Sequence, residues 1–313
     1  MHHAAKLLFV VGGCSAAIAS AQDAYPSKPV RLIVPAAGGG SDLVARLVAP
    51  RLSEALGQQF VVDNRGPIAP EVAAKAPADG YTLHVNGSPA WLQPLLRNTP
   101  WDVLRDFAPV TMAVVSPSIL AVHPSLPVKT VRELIVLAKS KPGQLNYAAG
   151  TIGAGPHLAG ELFRAMAGVN LVRVPYKGSG PALIGLMTGE AQIMFPGASG
   201  TSYIKQGKIR ALGVGSLEPS PLLPGIPTIA STLPGYESVS PQGIFAPAKT
   251  LPAIVAKLQQ EIARALNAPD AKERMFASGN QVVANTPDAF AAWLRHDIDR
   301  AAKLIRKQGI KEE

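Results

Sequence analysis

The sequence predicts an α/β protein in which helices cover mostly parallel sheets. Short apolar runs of strand length alternate with segments whose apolar residues recur at helical spacing. Such alternation is typical of parallel sheets with helices on both faces. The chain has 313 residues, which exceeds the usual size of a single hydrophobic core, so we expect two domains.

The predicted elements run in order from a first strand to a helical tail. The strands are predicted over 30–34, 59–62, 82–85, 119–122, 145–148, 171–175, 191–195 and 209–214. The first helix begins at Asp42, and further helices are predicted over 71–75, 131–139, 157–167, 181–188 and 201–206. A strand ending at 245–247 leads to two amphipathic helices, 252–267 and 287–307, the second starting with the cap Thr286-Pro287.

Pro50 falls inside the helix that begins at Asp42. Its ring should clash with the carbonyl of Arg46 and remove one helical hydrogen bond. We therefore expect a kink or break between Arg46 and Arg51.

The N-terminus has the three parts of a secretory signal peptide. A basic start ending at Lys6 precedes an apolar core over 7–19, and 19–21 reads Ala-Ser-Ala, a cleavage site of the A-x-A type. Residues 1–21 are thus predicted to be a leader that is cleaved after Ala21, with the mature protein outside the cytoplasmic membrane. Cys14, the only cysteine, would leave with it, which excludes disulfides and thiolate metal sites. The alternative is a lipoprotein attached at Cys14, because 11–14 resembles a lipoprotein processing box.

The chain is basic, with a formal net charge of +9. In an exported protein this does not indicate nucleic acid. It is consistent with attraction of anionic solutes or an acidic partner surface, or with a charge that only aids solubility.

Three glycine-containing loops follow predicted strands, where ligands sit in open α/β sheets. The first joins strand 30–34 to the helix at Asp42, the second follows strand 82–85, and the third leads into the helix at 157. Glycines allow close backbone approach, and a helix start offers unpaired N–H groups that suit a small anion. A tight turn without a ligand is the alternative for the first loop. The predicted binding residues in these loops are Ala36, Ala37, Gly38, Gly39, Ser41, Asn86, Ser88, Thr151, Gly153, Ala154, Gly155 and His157.

The sequence lacks recognisable catalytic or metal-binding patterns. His157 and Glu161 have neither the second histidine nor the spacing of a zinc protease, so His157 is better explained as a capping or packing residue there. There is no G-x-S-x-G nucleophile elbow and no phosphate loop. We therefore predict no metal, no cofactor and no enzyme activity.

Several segments resemble the receptors of tripartite tricarboxylate transporters, also called Bug solute-binding proteins. They include AYPSKPVRLIVP, APADGYTL, GPHLAGELF, VPYKGSGPAL, PTIASTLPGYE and GIFAPAKTLP, in family order across nearly the whole mature chain. The resemblance implies a type II-like periplasmic binding protein, with two lobes that each have a central sheet flanked by helices and a ligand cleft between them. It also implies a monomer that binds a small organic acid and passes it to membrane permease subunits, with no nucleic-acid partner.

For the lobes we predict a discontinuous first lobe, 22–121 plus 236–313, and a second lobe, 122–235. The chain should cross near 122–124 and again between 227 and 245, and the two crossings would form a hinge. Phe195, at the end of the predicted strand 191–195, is included among the binding residues through the resemblance.

The sequence departs from the family pattern around the expected ligand. The first loop is shorter and lacks an aromatic residue, 66–70 is short, and Pro241 aligns near a usual tryptophan. Amino-acid-binding members have an aspartate where this chain has Pro196. Without it a ligand ammonium would lack a partner, so a small carboxylic acid is predicted, with its carboxyl toward 37–41. The same departures would also suit a bulkier or aromatic acid.

Two other functions remain open at this stage. A ligand-binding sensor that acts on a signalling partner would have the same pocket. A secreted hydrolase using Ser41-Asp42 or His157 is disfavoured, because a hydrolase needs a nucleophile with a base in reach.

Overall fold

The computed structural model describes residues 25–150 and 154–310. Its strands are β1 (Val30–Val34), β2 (Phe60–Asn64), β3 (Thr82–Gly87), β4 (Phe107–Pro117), β5 (Ile119–Val122), β6 (Leu145–Ala149), β7 (Leu171–Pro175), β8 (Ile193–Met194), β9 (Arg210–Val214), β10 (Val239–Pro247) and β11 (Gln281–Val282). Its helices are α1 (Gly40–Leu56), α2 (Ala69–Ala74), α3 (Pro89–Leu92), α4 (Val103–Asp106), α5 (Val131–Ser140), α6 (Gly155–Ala167), α7 (Ser179–Met187), α8 (Thr201–Lys205), α9 (Pro252–Asn267), α10 (Pro269–Ala277) and α11 (Pro287–Gln308).

The strands form two separate sheets, one in each lobe. The first-lobe sheet has the order β11-β4-β10-β3-β1-β2, and the second-lobe sheet has the order β7-β6-β8-β5-β9. In the first, β1 runs parallel to β2 and β3, while β10 runs antiparallel to β3 and β4. In the second, β6 runs parallel to β7 and β8, while β5 runs antiparallel to β8 and β9. Both sheets are therefore mixed, not mostly parallel as the alternation predicted.

Two of the strands that run antiparallel to their neighbours, β5 and β10, directly follow the points where the chain changes lobe, whereas the short antiparallel strand β11 lies near the C-terminus. β4 ends at Pro117 and β5 begins at Ile119 in the other sheet, so the first crossing lies at Ser118. The predicted boundary after residue 121 falls inside β5, and this crossing is earlier than expected. The chain returns between β9 and β10, over residues 215–238.

Each lobe has its own buried core. In the first lobe, residues of α1 and α9 pack on the sheet around Leu32, Val85 and Ile244. In the second lobe, helices α5 and α6 cover Tyr147 and Leu120. Outward-facing polar positions on these helices leave one apolar stripe for the sheet, which is the pattern that identified them in the sequence.

Helix α1 runs without interruption from Gly40 to Leu56, although it contains Pro50. The predicted break is wrong, and the alternative of a kink at Pro50 stays a prediction. Pro50 is on the exposed side of the helix, where water can satisfy the carbonyl of Arg46. The opposite side, including Val48 and Leu52, is fully buried against the core and holds the helix on the sheet.

Within residues 25–150 and 154–310, no helix combines the length and apolarity needed to cross a membrane. In the same residues no group of three or more histidine, cysteine, aspartate or glutamate side chains is arranged to hold a metal ion. The predicted leader, including Cys14, lies outside the described residues.

Candidate functional site

A cleft between the lobes opens at the start of α1 and contains two adjoining cavities. The inner cavity, of about 230 Å³, is lined by residues from 35–41, 86–89, 240–242 and by Gly155. The outer cavity, of about 660 Å³, is lined by residues from 38–47, 197–199 and 274–280, among others. The two cavities share Gly39, Ser240 and Gln242, so together they form one cleft.

The first predicted loop supplies the N-terminal end of α1 to this cleft. Helix α1 has 17 residues, and its N-cap, Gly39, makes no side-chain capping bond. The first backbone N–H groups of such a helix have no intrahelical partner, and the helix dipole adds partial positive charge. Gly38 has φ +75°, a left-handed conformation that favours glycine. The loop thus offers backbone donors to an anion at exposed glycines.

The residues of this loop divide between the two cavities. Ala36, Gly39 and Ser41 line the inner cavity, and Gly38 and Gly39 line the outer one. Ala37 is exposed and lines neither cavity.

Asp42 fixes the conformation of the first loop through hydrogen bonds. Its carboxylate accepts hydrogen bonds from Gly38 N at 2.9 Å, Asn64 Nδ2 at 3.0 Å and Arg46 Nε at 2.8 Å. The bond from Arg46 is the main reason that the pKa of Asp42 falls from 3.8 to about 2. Asp42 is therefore committed to the loop and to Arg46.

Gln242 on β10 is a wall of the cleft that the sequence did not reveal. Its Oε1 accepts a hydrogen bond from Ser41 Oγ at 2.7 Å, which ties the start of α1 to β10. Its amide also fills the space beside Gly40 and Gly87, where an added Cβ would lie 3.0 Å from Gln242 Nε2 in each case. Only the end of β10 was predicted, so nothing in the sequence marked Gln242 as facing the first loop.

The second predicted loop reaches the inner cavity through Ser88, while Asn86 is engaged elsewhere. Asn86 Nδ2 lies 3.1 Å from His84 Nε2, and Asn86 Oδ1 accepts from Gly87 N at 2.8 Å. Asn86 is buried and lines the inner cavity, but these bonds occupy its amide. Ser88 precedes α3 and also lines the inner cavity.

The third predicted loop contributes Gly155 to the cleft. Ala154 is the N-cap of α6, and a Cβ added at Gly155 would lie 3.3 Å from Ser240 Oγ. Gly155 therefore allows the start of α6 to approach β10 closely. Thr151 and Gly153 lie outside the described residues.

Two buried predicted site residues, like the less buried Ala37 and Ala154, line neither cavity. His157 is buried in the first turn of α6, with Nε2 3.9 Å from Glu161 Oε1. Burial is the main reason that its pKa falls to about 4. Phe195 is fully buried in the second-lobe core, where its ring packs against Phe163 with centroids 5.5 Å apart. The expected place of Phe195 in the cleft is wrong for this arrangement, because Phe195 directly follows β8 and faces the core.

The charge of the cleft differs between its two halves. No charged side chain lines the inner cavity among the described residues. The outer cavity is lined by Asp42, Arg46 and Arg274, and Arg46 is paired with Asp42. The lining thus carries a formal excess of one positive charge, which favours an anion.

Comparison with known proteins identifies the family to which this chain belongs. Residues 44–310 match the family described as the tripartite tricarboxylate transporter family receptor. The protein BugT of Bordetella pertussis is 35% identical over 98% of this chain and 98% of its own length. This chain belongs to that receptor family.

Solved structures of similar proteins share the receptor's fold. The structure of R. palustris Rpa4515 with adipate is 35% identical, with a TM-score of 0.79, and covers 92% of this chain and 99% of that chain. MatC of Rhodopseudomonas palustris with bound malate is 28% identical, with a TM-score of 0.74, and covers 90% of this chain and 100% of that chain.

In this receptor the two chain crossings are bonded to each other. Ser118 N and Oγ donate to the Ser238 carbonyl at 3.0 and 2.9 Å, and Gly215 N donates to the Ser118 carbonyl at 2.7 Å. Ser238 N in turn donates to the Gly215 carbonyl at 2.8 Å. We call Ser118, Gly215 and Ser238 the hinge segment, because the two crossings are bonded to each other there.

Pro196 and Pro241 are the two prolines at which the sequence departs from the expected family pattern, and neither is exposed. The carbonyl of Pro196 accepts a hydrogen bond from Ile119 N at 2.7 Å, next to the first crossing. Pro241 is buried in β10 and lines the inner cavity. Neither residue provides a charged group to the cleft.

Proposed function

We propose that this receptor binds a small organic carboxylate outside the cytoplasmic membrane and delivers it to the permease of a tripartite tricarboxylate-type transporter. The single observation that carries the ligand assignment is the uncapped start of α1, which faces an inner cavity without charged side chains. There the backbone N–H groups after Gly38 can bind a carboxylate without an arginine.

Two further observations support an acid. The outer cavity adds Arg274 to the cleft, and the related proteins Rpa4515 and MatC were solved with adipate and malate. No aspartate stands at Pro196, and among the described residues no carboxylate lines the inner cavity. An α-amino acid held by its carboxylate at the start of α1 is disfavoured there, because its ammonium would be a buried unpaired charge.

We also propose where the receptor is located and how it closes on its ligand. We take residues 1–21 as a cleaved leader, the mature chain as a monomer in the periplasm, and residues on both sides of the hinge segment as two lobes that close on the ligand. The receptor acts by binding and release, with no covalent chemistry on its ligand.

A pair of variants at Gly39 tests the ligand assignment. Gly39 has φ −81° and ψ 173°, and an added Cβ would meet only Ala36 O, at 3.6 Å. Asp and Asn therefore both fit there, and they differ in charge but not in shape. We expect calorimetric titration to show that the wild-type protein binds at least one of adipate, malate or an aromatic acid. G39D should bind that acid at least about tenfold more weakly than G39N, because a carboxylate at a helix start repels another anion.

Two outcomes contradict the proposal. If only amino acids bind to the wild-type protein, the ligand class is wrong. If acids bind but G39D and G39N have equal affinities, the carboxylate does not lie at the start of α1.

A further inference from the structure

A third cavity lies on the hinge side of the inner cavity, and we call it the hinge-side chamber. Its volume is about 50 Å³, enough for about three water-sized groups. Ser88 and Gly155 line both the chamber and the inner cavity. The inner cavity, beside the start of α1, therefore adjoins this chamber on one side and the wider outer cavity on the other.

Leucine side chains from three helices form one wall of the chamber. Leu92 of α3 and Leu158 of α6 are 5% and 8% exposed, and Leu162 of α6 and Leu304 of α11 belong to the same wall. Leu158 also packs in a first-lobe cluster around Trp91. The chamber is thus closed by apolar contacts between the two lobes, and an apolar group that enters it leaves water.

The charged part of the chamber lining consists of two carboxylates that share one guanidinium. Asp297 accepts hydrogen bonds from Trp91 Nε1 at 2.9 Å and from Arg300 Nη2 at 2.6 Å. Arg300 Nη1 also donates to the carbonyl of Glu237 and lies 3.7 Å from Glu237 Oε2. Asp297, Glu237 and Arg300 all line the chamber, and together they carry a formal charge of −1.

This arrangement favours an apolar ligand end over a negatively charged one. A second carboxylate in the chamber would meet an excess of negative charge and an arginine that is already bonded to protein oxygens, so its burial would be unfavourable. An alkyl end needs no polar partner and would contact the leucine wall.

We propose that the hinge-side chamber binds the uncharged, apolar end of the transported acid, so that the receptor prefers monocarboxylates with an alkyl tail over acids charged at both ends. This inference rests on the proposed function, because it requires the ligand carboxylate at the start of α1. It adds Asp297, Glu237 and the leucine wall as the groups that determine specificity.

The test compares acids of matched length in calorimetric titrations of the full mature chain. Butyrate and hexanoate differ by two methylene groups. Adipate has the same six carbons as hexanoate, but a second carboxylate replaces the terminal methyl group. We expect hexanoate to bind about tenfold more tightly than butyrate, and adipate to bind at least about tenfold more weakly than hexanoate.

Two variants assign these differences to the chamber. Ala301 lines it and is 8% exposed, so A301L should fill it, weaken hexanoate at least about tenfold and leave butyrate within about threefold. Ala302, its half-buried neighbour on α11, lines none of the three cavities. A302L is the matched control and should change neither acid. E237Q removes one chamber carboxylate and should reduce the preference for hexanoate over adipate.

The outcomes separate the two proposals. If no acid binds to the wild-type protein, the proposed function fails. If acids bind but adipate equals or exceeds hexanoate, or A301L weakens butyrate and hexanoate alike, the chamber inference fails and the ligand extends into the outer cavity. If A301L does not fold, an unchanged hexanoate-to-adipate ratio in E237Q overturns the inference.

Discussion

At the scale of single residues, the shape of the cleft depends on side chains that fix the backbone of the first loop. Asp42 accepts from Gly38 N, and Ser41 donates to Gln242, so the donors at the start of α1 are held in place before any ligand arrives. Such preorganisation reduces the entropy cost of binding. The loop's function therefore depends on residues inside α1 and on a distant strand.

We predict that D42N flattens the pH dependence of stability in acid. The pKa of Asp42 is lowered to about 2 in the folded protein, from 3.8. Its contribution is therefore complete above about pH 4 and is lost as the pH falls toward 2. Thermal unfolding followed by circular dichroism should show a smaller drop of Tm between pH 4 and 2 for D42N than for the wild-type protein. D299N, at an exposed position on α11, is the control, and an equal drop in D42N and D299N would contradict this role.

The sequence identified the loops that line the cleft but not the contacts that orient them. Gly38, Gly39 and Ser41 could be predicted because a glycine run between a strand and a helix is a local pattern. Gln242 could not, since its contact with Ser41 joins residues 201 positions apart. Phe195 was misplaced because a residue at a strand end can face a cleft or a core, and the pattern of apolar residues does not distinguish the two.

At the scale of elements, long strands with internal prolines were the hardest to predict. β4 contains Pro109 and Pro117, and β10 contains Pro241 and Pro247, which read as interruptions. Irregularities in the β4–β10 register at Gln242/Gly243 and Ile244/Phe245 accompany these residues. Helices such as α9 were predicted to the residue, because an amphipathic pattern and a proline at the first position are both local.

The hinge segment has a close packing requirement at Gly215. An added Cβ would lie 2.3 Å from Ser118 Oγ and 2.4 Å from the Ser238 carbonyl. We predict that G215A lowers the free energy of unfolding by about 1–3 kcal/mol, measured by urea denaturation. G180A is the matched control: Gly180 lies in α7 with nothing within 4 Å of its added Cβ, so the change should be neutral or slightly stabilising. Equal stability of G215A and G180A would show that the crossings are not tightly packed.

Pro50 leaves a gap in the hydrogen bonds of an unbroken helix. Replacing it in P50A restores an N–H that can donate to the carbonyl of Arg46, and Pro50 is exposed, so no core contact is lost. We predict that P50A raises the free energy of unfolding by about 1–3 kcal/mol, measured in the same denaturation experiment. A destabilised P50A would mean that the proline is needed for the path of α1.

At the scale of the whole molecule, two buried histidines make stability depend on pH. Burial lowers the pKa of His84 in the first lobe and of His157 in the second, each from 6.5 to about 4. As the pH falls from 6.5 toward 4, the unfolded chain takes up protons that the folded protein does not, so stability decreases across this range. H157Q should reduce this slope, while H296Q, at an exposed position, should not. An unchanged slope in H157Q, followed by thermal melts from pH 7 to 4, would contradict the burial of His157.

The central claim is that backbone N–H groups at the start of α1 bind the carboxylate of a small organic acid. The most direct measurement is a titration of the ¹⁵N-labelled mature protein with hexanoate or adipate, followed by amide chemical shifts. We predict that the amides of Gly39, Gly40 and Ser41 shift with a common saturation curve and are among the largest changes in the spectrum. Saturable binding that leaves these three amides unchanged, with shifts confined to other parts of the molecule, would contradict the account.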